Sequence, residues 1–362
     1  MHASGHRAGA AIAVAVAAIG ALTGCPSREA VGASALTVLG AGVVNDPRNK
    51  SLRFDVLKFG LERFCAEMQR AGAAVKLADD QPVIGRFFAD GCSQQVLDDP
   101  KRQSIVVQFS GKGYAWTNVS RRLGFTSAGL LELKPDFKVH DGAMYVYFRP
   151  KQVDAASFER RVVESAFATA GAAAAGVDFD RVGRRILAGQ LARGFTVIRI
   201  DDSGETDFGL GIIPVGERPF RPFRVERSEH RTVANDRTEV HSQQQDYIGA
   251  FEIEDDDQAV YLNLVLEGAP TVDVLVVQKA MGDMMLERYV TEAGPAKLPA
   301  APFLDDVLAQ GQPFRRYVPL PKGQYYLVLD HSQAAGRSQP PQGQRDDRAA
   351  RVDYLVQVGD AP

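Results

Sequence analysis

Ser104-Ile105-Val106-Val107-Gln108-Phe109-Ser110-Gly111-Lys112-Gly113-Tyr114-Ala115-Trp116-Thr117-Asn118 is the stretch that decides how this chain folds. Ile105, Val107 and Phe109 alternate with Ser104, Gln108 and Ser110, the period of two expected of a strand with one buried face. Gly111 and Gly113 then read as a glycine turn, and Tyr114 to Asn118 as a second strand. Residues 129–133 and 143–148 repeat the pattern, rich in Leu, Val, Tyr and Phe and separated by Gly, Asp and Pro. Four short runs of this kind in succession predict an antiparallel meander.

Upstream, the period lengthens. Phe54, Leu57, Leu61, Phe64, Cys65 and Met68 recur at threes and fours across residues 52–70, which predicts a helix with one face on a core. Downstream, residues 155–169 and 179–191 read as two more helices joined by the alanine-glycine run 171–176, and residues 195–200 and 208–213 return to strand. Residues 36–218 are therefore expected to form an α+β domain, with helices on a mostly antiparallel sheet or partial barrel. Residues 219–245 are charged and polar, carry Pro219 and Pro222, and end in Ser242-Gln243-Gln244-Gln245. Too little apolar surface remains there for a core, so the segment reads as a linker, with an isolated strand near 231–234 as the alternative.

Residues 246–362 carry strand patterns at 247–252, 260–266, 272–277, 325–329 and 352–358, with an edge segment at 314–318 and a turn at Leu320-Pro321-Lys322-Gly323. Short strands with polar connections predict an all-β sandwich, interrupted by a long Met-, Pro- and Ala-rich loop at 278–312. The opening Tyr-x-Gly-x-Phe, Val272-Asp273-Val274, and Gly323-Gln324-Tyr325-Tyr326-Leu327-Val328-Leu329-Asp330 resemble the accessory β-sandwich domains of secreted bacterial proteins. More distantly they resemble the lumenal sandwich of cargo receptors. That resemblance transfers no catalytic residue.

At the start of the chain, Arg7 precedes an apolar run from 8 to 22 that ends in Leu22-Thr23-Gly24-Cys25. The run is too short for a spanning helix and has the form of an export signal. The segment resembles the signal of bacterial lipoproteins, which implies cleavage after residue 24, lipidation of Cys25 and a short tether at 25–35. Two or more acyl chains give the stable attachment to a bilayer that one chain does not. By resemblance to the sorting rule of enteric bacterial lipoproteins, Pro26 in place of aspartate after the cysteine implies the outer membrane.

The formal net charge of −3, from 42 basic and 45 acidic side chains, creates no field for a polyanion, which removes nucleic acid from the expected partners. With Cys25 assigned to lipid, Cys65 and Cys92 remain. In an oxidising compartment they read as one disulfide closing a loop of about 27 residues, worth ~3 to 4 kcal/mol in the chain-entropy model; two separate buried thiols are the alternative.

Several groups invite a chemical reading. Lys112, Tyr114 and Trp116 either form a core aromatic pair or give a carbohydrate, peptide or lipid a flat face beside a cation. Asp136, His140 and Asp141 place a histidine between carboxylates, the arrangement of an oriented base. Glu254, Asp255, Asp256 and Asp257 offer oxygens to calcium, against a solvated acidic loop; no other cofactor is indicated. Asp330-His331-Ser332 reads as a strand end and turn, since neighbours on a strand alternate in direction. The expected function is that of an anchored envelope protein that binds a protein or an envelope polymer without transforming it. An envelope hydrolase, or a carrier of lipid or another apolar ligand, is the alternative.

Overall fold

A computed structural model describes Val43, Asp46 and residues 48–362 apart from 62–63, 79, 100–101, 119, 141–142, 166–178, 201–205, 211–216, 218–220, 224–228 and 339–347. The export signal, Cys25 and the tether lie outside the described residues. The chain is mostly β, in one closed barrel and two antiparallel sheets.

Helices α1 (Lys50–Leu61) and α2 (Phe64–Ala71) open the described chain. The barrel follows in meander order: β1 (Ala73–Val75), β2 (Gly85–Asp99), β3 (Arg102–Thr117), β4 (Arg121–His140), β5 (Ala143–Val163), then α3 (Phe179–Ala192), β6 (Phe195–Ile200) and β7 (Thr206–Leu210). Neighbours pair antiparallel, and the parallel contact of Ala74 with Gly209 closes the ring. Ile105, Val107 and Phe109 point into it, as their alternation predicts, and meet Phe87, Leu131, Leu133, Val146 and Phe148. Phe54 of α1 and Phe64 of α2 join this core; the Phe64 ring lies edge-on to Phe148 and Phe208. Cys65 and Cys92 are bonded, fastening α2 to β2.

Among the described residues, helix coverage of the sheet is thus limited to α1, α2 and α3; α3, which the 179–191 pattern predicts, packs on β5 and places Leu191 in the barrel core. The stretch 155–163 extends β5 instead of starting a helix. Phe158 and Val162 are four apart and would suit either period, but the 20-residue β4 pairs with both, at Ser127 and Gly124, across a bulge at Gly124/Phe125. Tertiary pairing overrides local preference here. Residues 166–169 fall outside the described residues. Nor does the chain turn at Gly111 and Gly113, which lie inside the single 16-residue β3.

The second unit is a sandwich. β8 (Arg231–Val240), β9 (Gln244–Ile253), β10 (Gln258–Glu267), β11 (Thr271–Gln278), α4 (Lys279–Thr291), β12 (Leu304–Ala309), β13 (Phe314–Pro319), β14 (Gly323–His331) and β15 (Ala350–Asp360) form sheets ordered β13-β10-β15-β8 and β12-β11-β14-β9. Their facing side chains, among them Leu262, Leu264, Val274, Leu327, Leu329 and Val356, make a second core. Two expectations are corrected. The 219–245 linker contains β8, which starts where the alternative placed a strand near 231–234 but is longer and paired in a sheet, and the first residues of β9; the 278–312 loop contains α4 and β12. In α4, Met285, Leu286, Tyr289 and Val290 recur at helical spacing and are buried. β8 is polar because its buried Thr232, Asn235, Asp236 and Thr238 have polar partners, a condition composition does not reveal.

Candidate functional site

The face of β3 that carries Lys112, Tyr114 and Trp116 is occupied by the sandwich. Tyr114 is buried, donates its hydroxyl to Asp246 Oδ1 at 2.7 Å and accepts from the Tyr247 amide at 2.9 Å. Trp116 stacks on His241 with centroids 3.4 Å apart and planes within 4°. Lys112 reaches Glu287 on α4 at 2.8 Å and Asp90 at 3.7 Å. Alternation along a strand puts Tyr114 and Trp116 on one side, as the sequence predicts; Lys112 joins them because β3 runs straight through the expected glycine turn, and the core-pair reading describes Tyr114. The flat face expected for a ligand is spent on joining two domains.

Charged residues that sequence reasoning missed complete the joint. Arg86 donates from Nε and Nη2 to the two carboxylate oxygens of Asp246 at 2.7 and 2.8 Å, with both residues buried. Burial alone would raise the Asp246 pKa, but the adjacent Arg86 guanidinium holds it below the ordinary carboxylate value. Lys76 and Asp236 pair at 2.6 Å. Arg122, fully buried, pairs with Glu164 at 2.6 Å, donates to the carbonyls of Glu292 and Gly294, and lies over the Tyr289 ring. At Gly124 an added Cβ would sit 2.0 Å from the Val290 carbonyl, so glycine lets α4 reach β4. A signal was present in the sequence for Arg86, a lone charge between Ile84-Gly85 and Phe87-Phe88; Arg122, beside Arg121 at the start of β4, carried none.

Farther along the same strands the wall opens into a concavity of about 580 Å³, lined by Gly91, Cys92 and Ser93 of β2, Gln108, Phe109 and Ser110 of β3, Ala128, Gly129 and Leu130 of β4, and Ser157 of β5. These residues form one row across four strands: Gly91 faces Ser110, Ser110 faces Ala128, and Ala128 faces Ser157. Two bulges fall in that row, at Ala89/Gly91 and Ala128/Leu130. Bulges bend a strand and increase its twist, which shapes a concave wall. An added Cβ at Gly91 would meet Ser110 Oγ at 2.7 Å, so glycine sets the depth here. The Ser157 hydroxyl is bonded to the Ala128 backbone. Ser93, Gln108 and Ser110 are exposed and hold no side-chain hydrogen bond within the described residues. None of the ten lining residues is charged.

The remaining groups are dispersed. Asp136 lies on β4 and binds Arg53 of α1 at 2.7 Å. His140 ends β4 opposite Ala143, its side chain outside the description, and Asp141 lies outside the described residues altogether. Glu254, Asp255, Asp256 and Asp257 are exposed on the β9–β10 turn; Glu254 faces Arg231, and Asp256 accepts the Lys322 amide. Among the described residues, no three His, Cys, Asp or Glu side chains gather as a metal site. Asp330-His331-Ser332 ends β14 and enters a turn, where the Ser332 hydroxyl and the Ala335 amide donate to Asp330. Burial pushes Asp330 up to about 7, and Asp273 lies directly opposite on β11.

No family model matches this chain, and no curated protein does. Among solved structures, the chain is aligned with those of infectious bursal disease virus, Gt and Gx strains. Identity is 11% and the TM-score 0.20 in both cases, with 79% of this chain and 73% or 74% of those chains covered. Likeness at that level carries no argument about fold or function. No helix among the described residues is long and apolar enough to cross a membrane.

Proposed function

We propose that this chain is an exported lipoprotein of the bacterial envelope, anchored through Cys25, that binds a ligand through its barrel without transforming it. The observation that carries the reading is the uncharged concavity of about 580 Å³ spanning β2 to β5, within the range that small-ligand sites occupy. The Cys65–Cys92 bond supports an oxidising compartment, in agreement with the export signal. Phenylalanines 54, 64, 87, 109, 125, 137, 148, 158 and 208 fill the barrel interior, so a carrier of lipid would have to use this wall cleft and not a central chamber. The partner in the envelope, whether protein or polymer, meets the protein at the cleft. Anchoring at the outer membrane follows the Pro26 reading.

Replacing Cys25 by serine tests the address. A hydroxyl is too weak a nucleophile at neutral pH to take the diacylglycerol, so the variant should still be exported, lose labelled palmitate and leave the membrane fraction. Undiminished palmitate incorporation would reject the anchor. Removing the sandwich to look for a lost partner is a poor test, because deletion exposes Arg86, Tyr114 and Arg122. Point changes in the cleft are the better probe.

A further inference from the structure

We infer that the cleft on β2 to β5 accepts a neutral, polyhydroxylated ligand, a short stretch of uncharged glycan. The inference rests on the binding reading above and names its substrate class. Three features of the wall lead to it. First, Ser93, Gln108 and Ser110 supply two hydroxyls and an amide, groups that both donate and accept, and none is engaged within the described residues. A ligand dense in hydroxyls needs such two-way partners; a carboxylate or phosphate would need donors alone, preferably cationic. Second, no lining residue carries a charge, so an ionic ligand entering the cleft would lose hydration without a counter-charge to replace it.

Third, the apolar side chains on this face of the wall, Ala128 and Leu130, stand opposite Ser110 and Gln108 across the strands instead of forming a continuous greasy lane. An acyl chain would cover those hydroxyls and the amide with methylenes and leave them unpaired. A sugar ring has apolar C–H faces and polar edges, and matches such a surface on both counts. Small residues at Gly91, Ser93, Ser110, Ala128, Gly129 and Ser157 leave room for the ring. Width also fits: the row crosses four strands, about 14 Å at the ordinary strand spacing, enough for two or three linked rings.

The test uses the full mature protein in detergent, titrated calorimetrically with cellotetraose, maltotetraose and chitotetraose, and separately with palmitate and a sulfated oligosaccharide. One of the neutral tetrasaccharides should bind saturably. Gln108→Ala should weaken it about tenfold, the loss of one good hydrogen bond, and Ser110→Leu should abolish it. Both positions are exposed, so thermal melting of the two variants should match wild type, which separates lost binding from lost fold. No binding by any neutral tetrasaccharide, or binding that ignores both changes, overturns the inference. Palmitate binding blocked by Ser110→Leu, with no sugar bound, overturns the glycan chemistry but leaves the binding function standing. Loss of membrane attachment in the Cys25→Ser strain bears on the anchor alone.

Discussion

Asp246→Ala is the substitution that most directly asks whether the barrel and sandwich unfold as one body. Asp246 is 3% exposed and Arg86 5% exposed, and the two meet through paired hydrogen bonds of 2.7 and 2.8 Å. Removing the carboxylate leaves the guanidinium buried with Tyr354 Oη at 3.2 Å. Stranding one member of a buried ion pair costs about 3–5 kcal/mol. The Tyr114 hydroxyl loses its acceptor as well, about 1 kcal/mol more. A loss of ~4–6 kcal/mol is comparable with the whole stability of an ordinary domain, about 5–15 kcal/mol. Urea unfolding followed by tryptophan fluorescence is the natural assay, because Trp116 is the only tryptophan and stacks on His241 at the seam. The paired control replaces both partners, Arg86→Met with Asp246→Leu, and should recover most of the loss, since an apolar pair of similar volume avoids the buried charge. A loss below about 1 kcal/mol for Asp246→Ala, or a double variant no more stable than the single, would refute the argument that this pair locks the seam.

Reduction of the Cys65–Cys92 bond, or Cys92→Ala, should lower stability by about 3–4 kcal/mol, the chain-entropy value for a separation of 27 residues; peptide mapping without reductant should recover the two cysteines in one linked pair. Two alkylatable thiols in unfolded, unreduced protein would contradict the bond. Asp330 gives a pH dependence of definite sign. Its folded pKa is raised to about 7 by burial and by Asp273 opposite, against hydrogen bonds from Ser332, the Ala335 amide and Gln245. A carboxyl raised on folding contributes fully below its unfolded pKa, near 4, and the contribution is lost as pH climbs through the folded value, so wild type should lose ~4 kcal/mol between about pH 4 and 7 from this group. Asp330→Asn should flatten that slope in urea melts at a series of pH values, and an unchanged slope would remove Asp330 as its source.

The sequence was most legible where one face of an element meets an apolar core. The alternation of Ile105, Val107 and Phe109, the edge segment at 314–318 and the strand patterns at 260–266, 272–277 and 325–329 all reappear as drawn. It was least legible where an element buries polar groups. In β8, Thr238 donates to the Val83 carbonyl and Asp236 binds Lys76, so a strand with two buried faces looks like a solvated linker. Tyr114 and Trp116 were placed correctly on one face, but which body covers that face depends on residues more than a hundred positions away, Asp246 and His241 among them. The cleft left a fainter trace. Gly91, Ser93, Ser110, Ala128, Gly129 and Ser157 are unremarkable singly, and only strand register brings them into one row.

That register also explains why β2 to β5 run to 15–21 residues when strands ordinarily run five or six. Each of β2, β3 and β4 does two jobs along its length. On β3, Lys112, Tyr114 and Trp116 hold the sandwich, and Gln108, Phe109 and Ser110 line the cleft. On β2, Arg86 serves the seam and Gly91 to Ser93 the cleft, with the bulge at Ala89/Gly91 lying between the two. Because Tyr114 and Ser110 are four residues apart on a continuous strand, about 13 Å, the seam fixes the position of the cleft wall through backbone hydrogen bonds and not through a flexible joint. The Cys65–Cys92 bridge fixes the opposite flank, tying the cleft residue Cys92 to the helix that fills the barrel. The sandwich therefore abuts one end of β2, β3 and β4, while the ladders of those strands bring small side chains separated by scores of residues into one wall at the other.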